Sequence, residues 1–209
     1  MTEHEYALIN GINRSKVGRY IAALAGILAD VLVSLFLLFV NLADVLGWNV
    51  NLPPTLLSLL VTGTIYLLLY RLFDQRAWRW KWLSGVIGVP CLAGEWACRG
   101  KTLNADSKEI EHEWAANVTI VQTWDKVRVR LKTAQSGSNS INAAVIHDSV
   151  DGYKLIYNYR NDPHPDEIEL RTHYGFAELT FDPGLRAAEG TYFNGHGRYT
   201  FGRMTLTRK

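Results

Sequence analysis

Side chains that can bind a phosphate-bearing ligand recur through the second half of the chain. Apolar and polar residues alternate there in short segments such as 127–133, which is the pattern of strands with one buried face. Tyrosine rings offer stacking surfaces, hydroxyl and amide groups offer neutral hydrogen bonds, and Arg offers positive charge to phosphate. The alternation predicts these inward-facing polar or aromatic positions: Gln122, Thr133, Ser138, Tyr157, Tyr159, Asn161, Arg171, His173, Tyr192 and Arg198.

Eight segments of this kind predict an all-β domain at residues 90–209. The segments are 94–101, 114–124, 127–133, 140–149, 153–160, 172–181, 190–194 and 199–207. Turn residues separate them, as at Asp151-Gly152, Asn161-Asp162-Pro163 and Asp182-Pro183-Gly184. Sequential strands without intervening helices favour an up-and-down antiparallel barrel, lipocalin-like and of about eight strands. Closure removes the exposed edges, and such a barrel has room for packed side chains or one small ligand.

The order of the strands predicts where a ligand enters. The first strand begins at the end of the barrel that faces the membrane, so every second connection lies at the far end. The apolar inward positions fall toward the membrane-side floor, whereas the hydroxyls, Asn161 and the two Arg fall toward the far mouth. An alternative stays open: Tyr157 and Tyr159 are ordinary strand aromatics, and the nearby serines are solvated turn residues.

The first half of the chain predicts a two-helix membrane hairpin at residues 17–73. Segments 20–40 and 54–70 are apolar and close to the length of a spanning helix. Three Lys or Arg precede the first segment, none lies in the connector and four follow the second, which predicts a cytoplasmic N-terminal tail at 1–16 and a cytoplasmic barrel. Residues 74–89, with Trp78, Trp80 and Trp82, are predicted to be an interfacial linker. A signal peptide or a buried core helix explains these features less well.

Small residues recur every four positions along the first helix and so share one face. The stripe consists of Gly18, Ala22, Gly26, Asp30 and Ser34. Such stripes allow close helix approach in lipid, and an intramembrane carboxylate is a functional candidate. In one reading the stripe packs the two helices of one hairpin, with Asp30 bonded to a Thr of the second helix. In the other it joins hairpins of different chains.

Charge and motifs exclude several classes of function. The chain has 22 Lys and Arg against 20 Asp and Glu, and residues 90–209 hold 15 of each, so no basic face for scanning DNA or RNA is expected. Two cysteines provide no disulfide framework. No nucleophile elbow, phosphate-binding loop, dinucleotide-binding fingerprint or zinc-protease motif occurs. No catalytic constellation, metal site or cofactor is therefore expected.

Several short motifs occur in a characteristic order after the hairpin. They are Leu92-Ala93-Gly94-Glu95-Trp96, Ile120-x-Gln122-x-Trp124, Val127-x-Val129-x-Leu131-x-Thr133, Ser136/Ser138/Ser140, Leu155-x-Tyr157-x-Tyr159-x-Asn161-x-Pro163, Gly190-x-Tyr192 and Gly202-x-Met204-x-Leu206-x-Arg208. With the hairpin, they make residues 17–209 resemble the two-transmembrane, β-strand-rich effectors of CBASS anti-phage operons. These effectors are STING-like in role though not in fold.

The resemblance implies a function and a set of partners. A neighbouring nucleotidyltransferase would make a 3′,3′-type cyclic dinucleotide, the barrel would bind it, and the chain would oligomerise. Clustered hairpins would then disrupt the bacterial inner membrane and kill the infected cell. The resemblance places the ligand role on Gln122, Thr133, Ser138, Tyr157, Tyr159, Asn161 and Tyr192. Arg171 and Arg198 are candidates from the strand alternation alone.

Other functions remain open at this point. A membrane-tethered barrel that binds a lipid or another apolar molecule is the chief alternative. A structural envelope protein with a filled barrel is a second, and a membrane hydrolase is a third.

Overall fold

The computed structural model describes residues 2–47, 53–104, 106–168, 170–195 and 198–209. The chain divides into two compact units. Ile12–Trp78 forms a helical unit, and Met1–Gly11 together with Arg79–Lys209 forms a β-rich unit.

The helical unit contains two long apolar helices, α1 (Arg14–Val45) and α2 (Pro54–Gln75). Within them, Arg14–Ala43 and Leu57–Gln75 are long and apolar enough to cross a membrane. The α2 helix begins at Pro54, where a missing N–H costs no hydrogen bond. Part of the predicted connector, residues 48–52, lies outside the described residues. These helices agree with the predicted hairpin.

The structure contradicts the reading in which the stripe packs α1 against α2. The buried positions of α1 lie on a neighbouring face and include Val17, Ile21, Ala25 and Ala29. Asp30 is exposed, and its carboxylate has no polar contact among the described residues. The Thr62 and Thr64 hydroxyls donate to carbonyls of their own helix, each at 2.8 Å. Small residues line both faces of α1, so their spacing alone does not identify the packed face.

The segment after α2 contains a single 3-10 turn, Ala77–Arg79, and a short helix, α3 (Lys81–Ile87). The α3 helix ends at Ile87, and Gly88 caps it in the left-handed conformation (φ 63°). Trp80 and Trp82 are exposed, with ring centroids 6.2 Å apart. Trp78, predicted with them as an interfacial anchor, is instead fully buried.

The β-rich unit is a closed barrel of nine strands. The strands are β1 (His4–Ile9), β2 (Gly94–Leu103), β3 (Ile110–Gln122), β4 (Lys126–Lys132), β5 (Ser136–Asp148), β6 (Gly152–Pro163), β7 (His173–Phe181), β8 (Ala187–Asn194) and β9 (Phe201–Arg208). From β2 to β9, consecutive strands pair antiparallel, and β2 pairs with β9 to close the wall. This is the predicted eight-stranded meander. The predicted turn at 161–163 is wrong, because β6 continues through Pro163.

The ninth strand, β1, lies within residues 1–16, which the sequence predicts to be a cytoplasmic N-terminal tail. Strands β4 and β5 pair only near their connecting turn, from Arg130↔Asn139 to Lys132↔Gly137, and then separate. There β1 lies between them, antiparallel to β4 and parallel to β5. Ser140 sits at this branch, where its Oγ contacts His4 Nε2 at 2.6 Å and accepts the Val129 N–H at 2.9 Å. A six-residue segment before a membrane helix gives little sign of such a partner, which only the gap between β4 and β5 defines.

The predicted inward faces are confirmed through most of the barrel. Trp96, Ile120, Leu155, Leu179 and Leu206 are almost completely buried and form much of the core. In β5 the alternation changes phase, because the register shifts between Ser140 and Asn142. Ser136, Ser138 and Ser140 therefore face inward before the bulge, and Val145 faces inward after it.

Candidate ligand-binding site

An open cavity lies at the end of the barrel where β2–β3, β4–β5, β6–β7 and β8–β9 are connected, which we call the mouth. The opposite end is the floor. The cavity measures about 760 Å³ when the solvent space of its open entrance is included. Its lining is Thr102, His112, Trp114, Leu131, Thr133, Gln135, Ser136, Ser138, Tyr157, Tyr159, Asn161, Leu170, His173, Tyr192, Asn194, Arg198, Thr200 and Met204.

Tyr192 is held on one side of the cavity by two polar neighbours. Its hydroxyl accepts the indole N–H of Trp114 at 3.1 Å and lies 2.8 Å from the Thr102 hydroxyl. The two rings meet edge to face, with centroids 5.6 Å apart. Gly100 makes room for this pair, because a Cβ there would lie 2.1 Å from the Trp114 ring. Trp114 and Tyr192 thus form a fixed aromatic wall.

Tyr159 is fixed by a second set of contacts. Its hydroxyl donates to Asn194 Oδ1 at 2.8 Å, and Asn194 Nδ2 donates to the Thr200 hydroxyl at 2.8 Å. These two consecutive hydrogen bonds connect β6 to both ends of the β8–β9 connection. Gly175 leaves space for the ring, since a Cβ there would lie 2.4 Å from it. Tyr157 lies beside Tyr159 with centroids 6.0 Å apart, so a second pair of aromatic rings faces the cavity.

Hydroxyl and amide groups line the β4–β5–β6 side. Ser136, Ser138 and Asn161 are buried, and Ser138 stands opposite Asn161 in the β5–β6 register. The Thr133 hydroxyl accepts the Ser136 N–H at 3.0 Å and so fixes the β4–β5 turn. The serines are therefore wall residues of the cavity, and the alternative that treated them as solvated turn residues is wrong.

The charged and titratable groups of the cavity favour an anion. Arg198 lines it, and no Asp or Glu does among the described residues. Burial raises the pKa of both Tyr157 and Tyr159, so their hydroxyls stay protonated. Burial, followed by the nearby Arg198 charge, lowers the pKa of His173, while its ring Nδ1 donates to the Arg171 carbonyl at 2.9 Å. The cavity thus offers neutral polar groups and one cation.

Seven of the nine predicted ligand residues line this cavity. They are Thr133, Ser138, Tyr157, Tyr159, Asn161, Tyr192 and Arg198. Arg171 does not, because it precedes β7 and its side chain is exposed. His173, two positions along, takes the inward place that opens the strand.

Gln122 lies at the floor instead of in the cavity. It is 1% exposed, and its amide nitrogen donates to the Pro90 carbonyl at 3.1 Å and to the Tyr6 hydroxyl at 3.3 Å. Its amide oxygen accepts the Leu92 N–H at 2.8 Å. Gln122 therefore satisfies buried polar groups where the chain enters the barrel. The alternation correctly placed Gln122 inside the barrel but gave no information on its height, that is, its position between the floor and the mouth.

Several lining residues near strand ends are not among the predicted ligand residues. Trp114 shares the inward face of Ile120, Thr102 that of Trp96, and Asn194 that of Tyr192. Applying the alternation to the first residue of segment 114–124 and the last of 190–194, and one residue beyond 94–101, finds these three positions. His112, Gln135, Ser136, Leu170 and Thr200 complete the missed set.

Two apolar helices and a barrel with a polar, aromatic-lined cavity define a membrane protein that carries a small-ligand receptor domain. Residues 87–208 match the family model described as Cap15, cyclic dinucleotide receptor domain. Residues 15–79 match the model described as Cap15, TM helices. The chain therefore belongs to the Cap15 family. It is similar to CD-NTase-associated protein 15 from Yersinia aleksiciae, with 46% identity over 210 residues that cover 100% of this chain and 98% of the relative.

Proposed function

We propose that the mouth cavity binds a 3′,3′-type cyclic dinucleotide and that the chain is an effector of CBASS anti-phage defence. The observation that carries this proposal is the cavity itself, which lies within the segment matched as a cyclic dinucleotide receptor domain. A cyclic dinucleotide presents two bases and two phosphates. The cavity offers two aromatic pairs for stacking, together with Arg198 and several hydroxyls for the phosphates.

Ligand binding would act on the membrane through assembly. A ligand shifts an equilibrium only by its differential affinity for two states, so the nucleotide must bind the assembled form better. Assembled barrels would raise the local concentration of the attached hairpins. We propose that the hairpins then cluster and disrupt the inner membrane, with both termini and the barrel in the cytoplasm as the Lys and Arg distribution indicates. The signal would come from a partner nucleotidyltransferase, in keeping with the relative's name.

The exposed stripe of α1 supports contact between hairpins. Ala22, Asp30 and Ser34 are exposed, and a carboxylate facing lipid is costly unless it finds a polar partner. Contacts between chains would supply that partner. The stripe of Gly18, Ala22, Gly26, Asp30 and Ser34 is thus proposed to join hairpins of different chains.

Thermal unfolding of the full chain in detergent tests the ligand. Cyclic di-AMP, cyclic di-GMP and 3′,3′ cyclic GMP–AMP are added in turn; one of them at a hundred times its Kd should stabilise the barrel by about 2.7 kcal/mol. The Arg198→Ala variant should lose at least tenfold in affinity, since a charge-assisted hydrogen bond contributes about 1.5–3 kcal/mol. Arg171→Ala is the matched control and should bind normally. No stabilisation by any of the three, with lipid co-purifying in the cavity, would favour a lipid-binding barrel.

Cell killing tests the role of the hairpin separately. Asp30→Ala should leave nucleotide affinity unchanged and weaken membrane leakage in cells that make the nucleotide. Asp30→Asn, which keeps a hydrogen-bonding group, should have a smaller effect. Full toxicity of Asp30→Ala would rule out an essential role for this carboxylate.

A further inference from the structure

Unpaired positive charges cover the outer surface of β4. Arg128, Arg130 and Lys132 alternate with inward Val129 and Leu131, so all three point outward. None of the three forms an ion pair in the described part of the chain, and Arg128 donates to Asn139 Oδ1 at 2.7 Å. Lys209 borders the same groove, and Glu95 is the one acid among its described lining residues. We call Arg128, Arg130, Lys132 and Lys209 the basic face.

The outer surface of β7 and β8 carries a different set of side chains. Phe176 and Phe193 are register partners, and their rings stack with centroids 5.4 Å apart. Phe193 is 54% exposed, which is unfavourable for an aromatic residue with no further cover. Glu178 and Glu189 follow on the same outer surface, and neither forms an ion pair among the described residues. We call Phe176, Glu178, Glu189 and Phe193 the aromatic–acidic face.

The two faces lie on opposite sides of the barrel. At the mouth end the order of paired strands is β4, β3, β2, β9, β8, β7, β6 and β5, with β5 returning to β4. Strand β8 is therefore four strands from β4 in either direction. Two faces placed in this way cannot contact each other within one chain, but they can meet between chains.

The faces are complementary in chemistry. Arg side chains pair with carboxylates and also stack on aromatic rings, so the basic face can bind both the Glu and the Phe residues of its counterpart. An anionic lipid surface would suit the basic face alone. It would leave the two stacked Phe uncovered and would repel Glu178 and Glu189. A second copy of the same chain fits both faces at once.

We propose that barrels associate side by side and head to tail: the basic face on the wall of one copy packs against the aromatic–acidic face on the wall of the next. This inference rests on the proposed assembly and identifies its contact surface. Because the two surfaces differ, the contact is heterologous and leaves one face of each kind free at the ends. A row of barrels can therefore grow and carry many hairpins, whereas a symmetric dimer would hold only two.

Charge reversal in the full-length protein in detergent tests this contact. Assembly size is measured by light scattering with and without the three cyclic dinucleotides named above. Arg130→Glu and Glu178→Arg should each raise the protein concentration needed for assembly at least tenfold, because like charges then face each other. An equimolar mixture of the two variants, and the double variant R130E/E178R, should assemble again. Arg99→Glu on β2, an exposed cation between the two faces, is the matched control and should assemble normally.

Crosslinking provides a readout that does not depend on how stable each variant is. In a Cys91→Ser background, the pair Arg130→Cys with Glu178→Cys should give a ladder of oligomers with a bismaleimide, and either Cys substitution alone should give none. Failure of the mixture and the double variant to restore assembly, or an equal ladder from a single substitution, would overturn the head-to-tail contact. Loss of binding to anionic vesicles by Arg130→Glu, with no effect on assembly, would assign the basic face to lipid. A ladder that forms equally with and without nucleotide would count against the proposed ligand control alone.

Discussion

The mouth and the floor of the barrel are built from the same strands but have opposite characters. At the floor, the side chains of Trp96, Leu155, Leu179 and Leu206 are almost inaccessible to solvent. There β1 adds a ninth strand to the wall, and its Tyr6 packs in the core. At the mouth, β4 and β5 pair directly, and the inward positions are occupied by hydroxyls, amides and aromatic rings around open space. Inward alternation is common to both ends. Side-chain chemistry along each strand determines which end is a core and which is a cavity.

Different residues stabilise the barrel and form the site. Polar groups at the floor are fully engaged, as the three contacts of Gln122 illustrate. At the mouth, Tyr159 and Tyr192 are fixed by hydrogen bonds through their hydroxyls while their rings line the cavity. Substitutions at the floor should therefore change stability, and those at the mouth should change binding.

The largest expected effect belongs to the floor. Leu155→Ala should lower the free energy of unfolding by about 3 kcal/mol, because it leaves a cavity in a closely packed core. Urea unfolding of the full chain in detergent, followed by tryptophan fluorescence, measures this loss. Asn158→Ala on the outer surface of the same strand is the control and should change stability by less than about 0.5 kcal/mol. Equal losses in the two variants would contradict the assignment of faces.

Gln122→Leu is expected to cause the next largest loss of stability. It removes the partner of the Leu92 N–H, the Pro90 carbonyl and the Tyr6 hydroxyl, which should cost about 2 kcal/mol of stability. Nucleotide affinity should remain unchanged, since Gln122 is outside the cavity lining. Ser138→Ala is the converse variant: it should weaken nucleotide binding and leave stability nearly intact. A loss of affinity in Gln122→Leu without a loss of stability would return this residue to the site.

A smaller effect is expected from a single methyl group at the mouth. Gly175→Ala would place a Cβ 2.4 Å from the Tyr159 ring and 2.7 Å from the Phe193 carbonyl oxygen, so both the ring and the backbone at Phe193 must shift. We expect a stability loss of about 1 kcal/mol and weaker nucleotide binding. In Gly137→Ala the nearest atom is 3.8 Å away, so that variant is the control and should behave as the wild type. Equal behaviour of the two variants in thermal unfolding with nucleotide would show that stability and nucleotide binding do not depend on the position of the Tyr159 ring.

The smallest effect is the pH dependence due to His173. Burial lowers its pKa in the folded state, so below the ordinary histidine pKa of about 6.5 the unfolded chain binds a proton that the folded chain resists. The stability of the wild type should therefore fall as the pH drops through this value and level off below the folded-state pKa. His173→Gln should flatten this part of the profile. An unchanged pH profile of urea midpoints in that variant would contradict the direction of the shift.

Local patterns predicted much of the barrel and of its site. The alternation in Val127–Leu131 and Leu155–Tyr159 requires only that one face be buried, so it survives folding unchanged. Asp182-Pro183-Gly184 likewise precedes β8 as its turn chemistry predicts. The alternation failed to predict the height of Gln122 and the exposure of Arg171, because it specifies a face but not the level at which a strand begins. It also missed β1, whose pairing depends on a gap between strands more than a hundred residues away.

The sequence by itself determined the two apolar helices, the all-β second half and the inward set that contains Tyr157, Tyr159 and Tyr192. These features depend on hydrophobicity and spacing, which are local properties. Only the tertiary structure decided that His4–Ile9 completes the wall, that a neighbouring face of α1 is buried while Asp30 is exposed, and that Arg198 reaches the cavity while Arg171 does not. Each of these depends on where distant segments meet, and that position is fixed by packing and backbone pairing across the closed barrel or between helices.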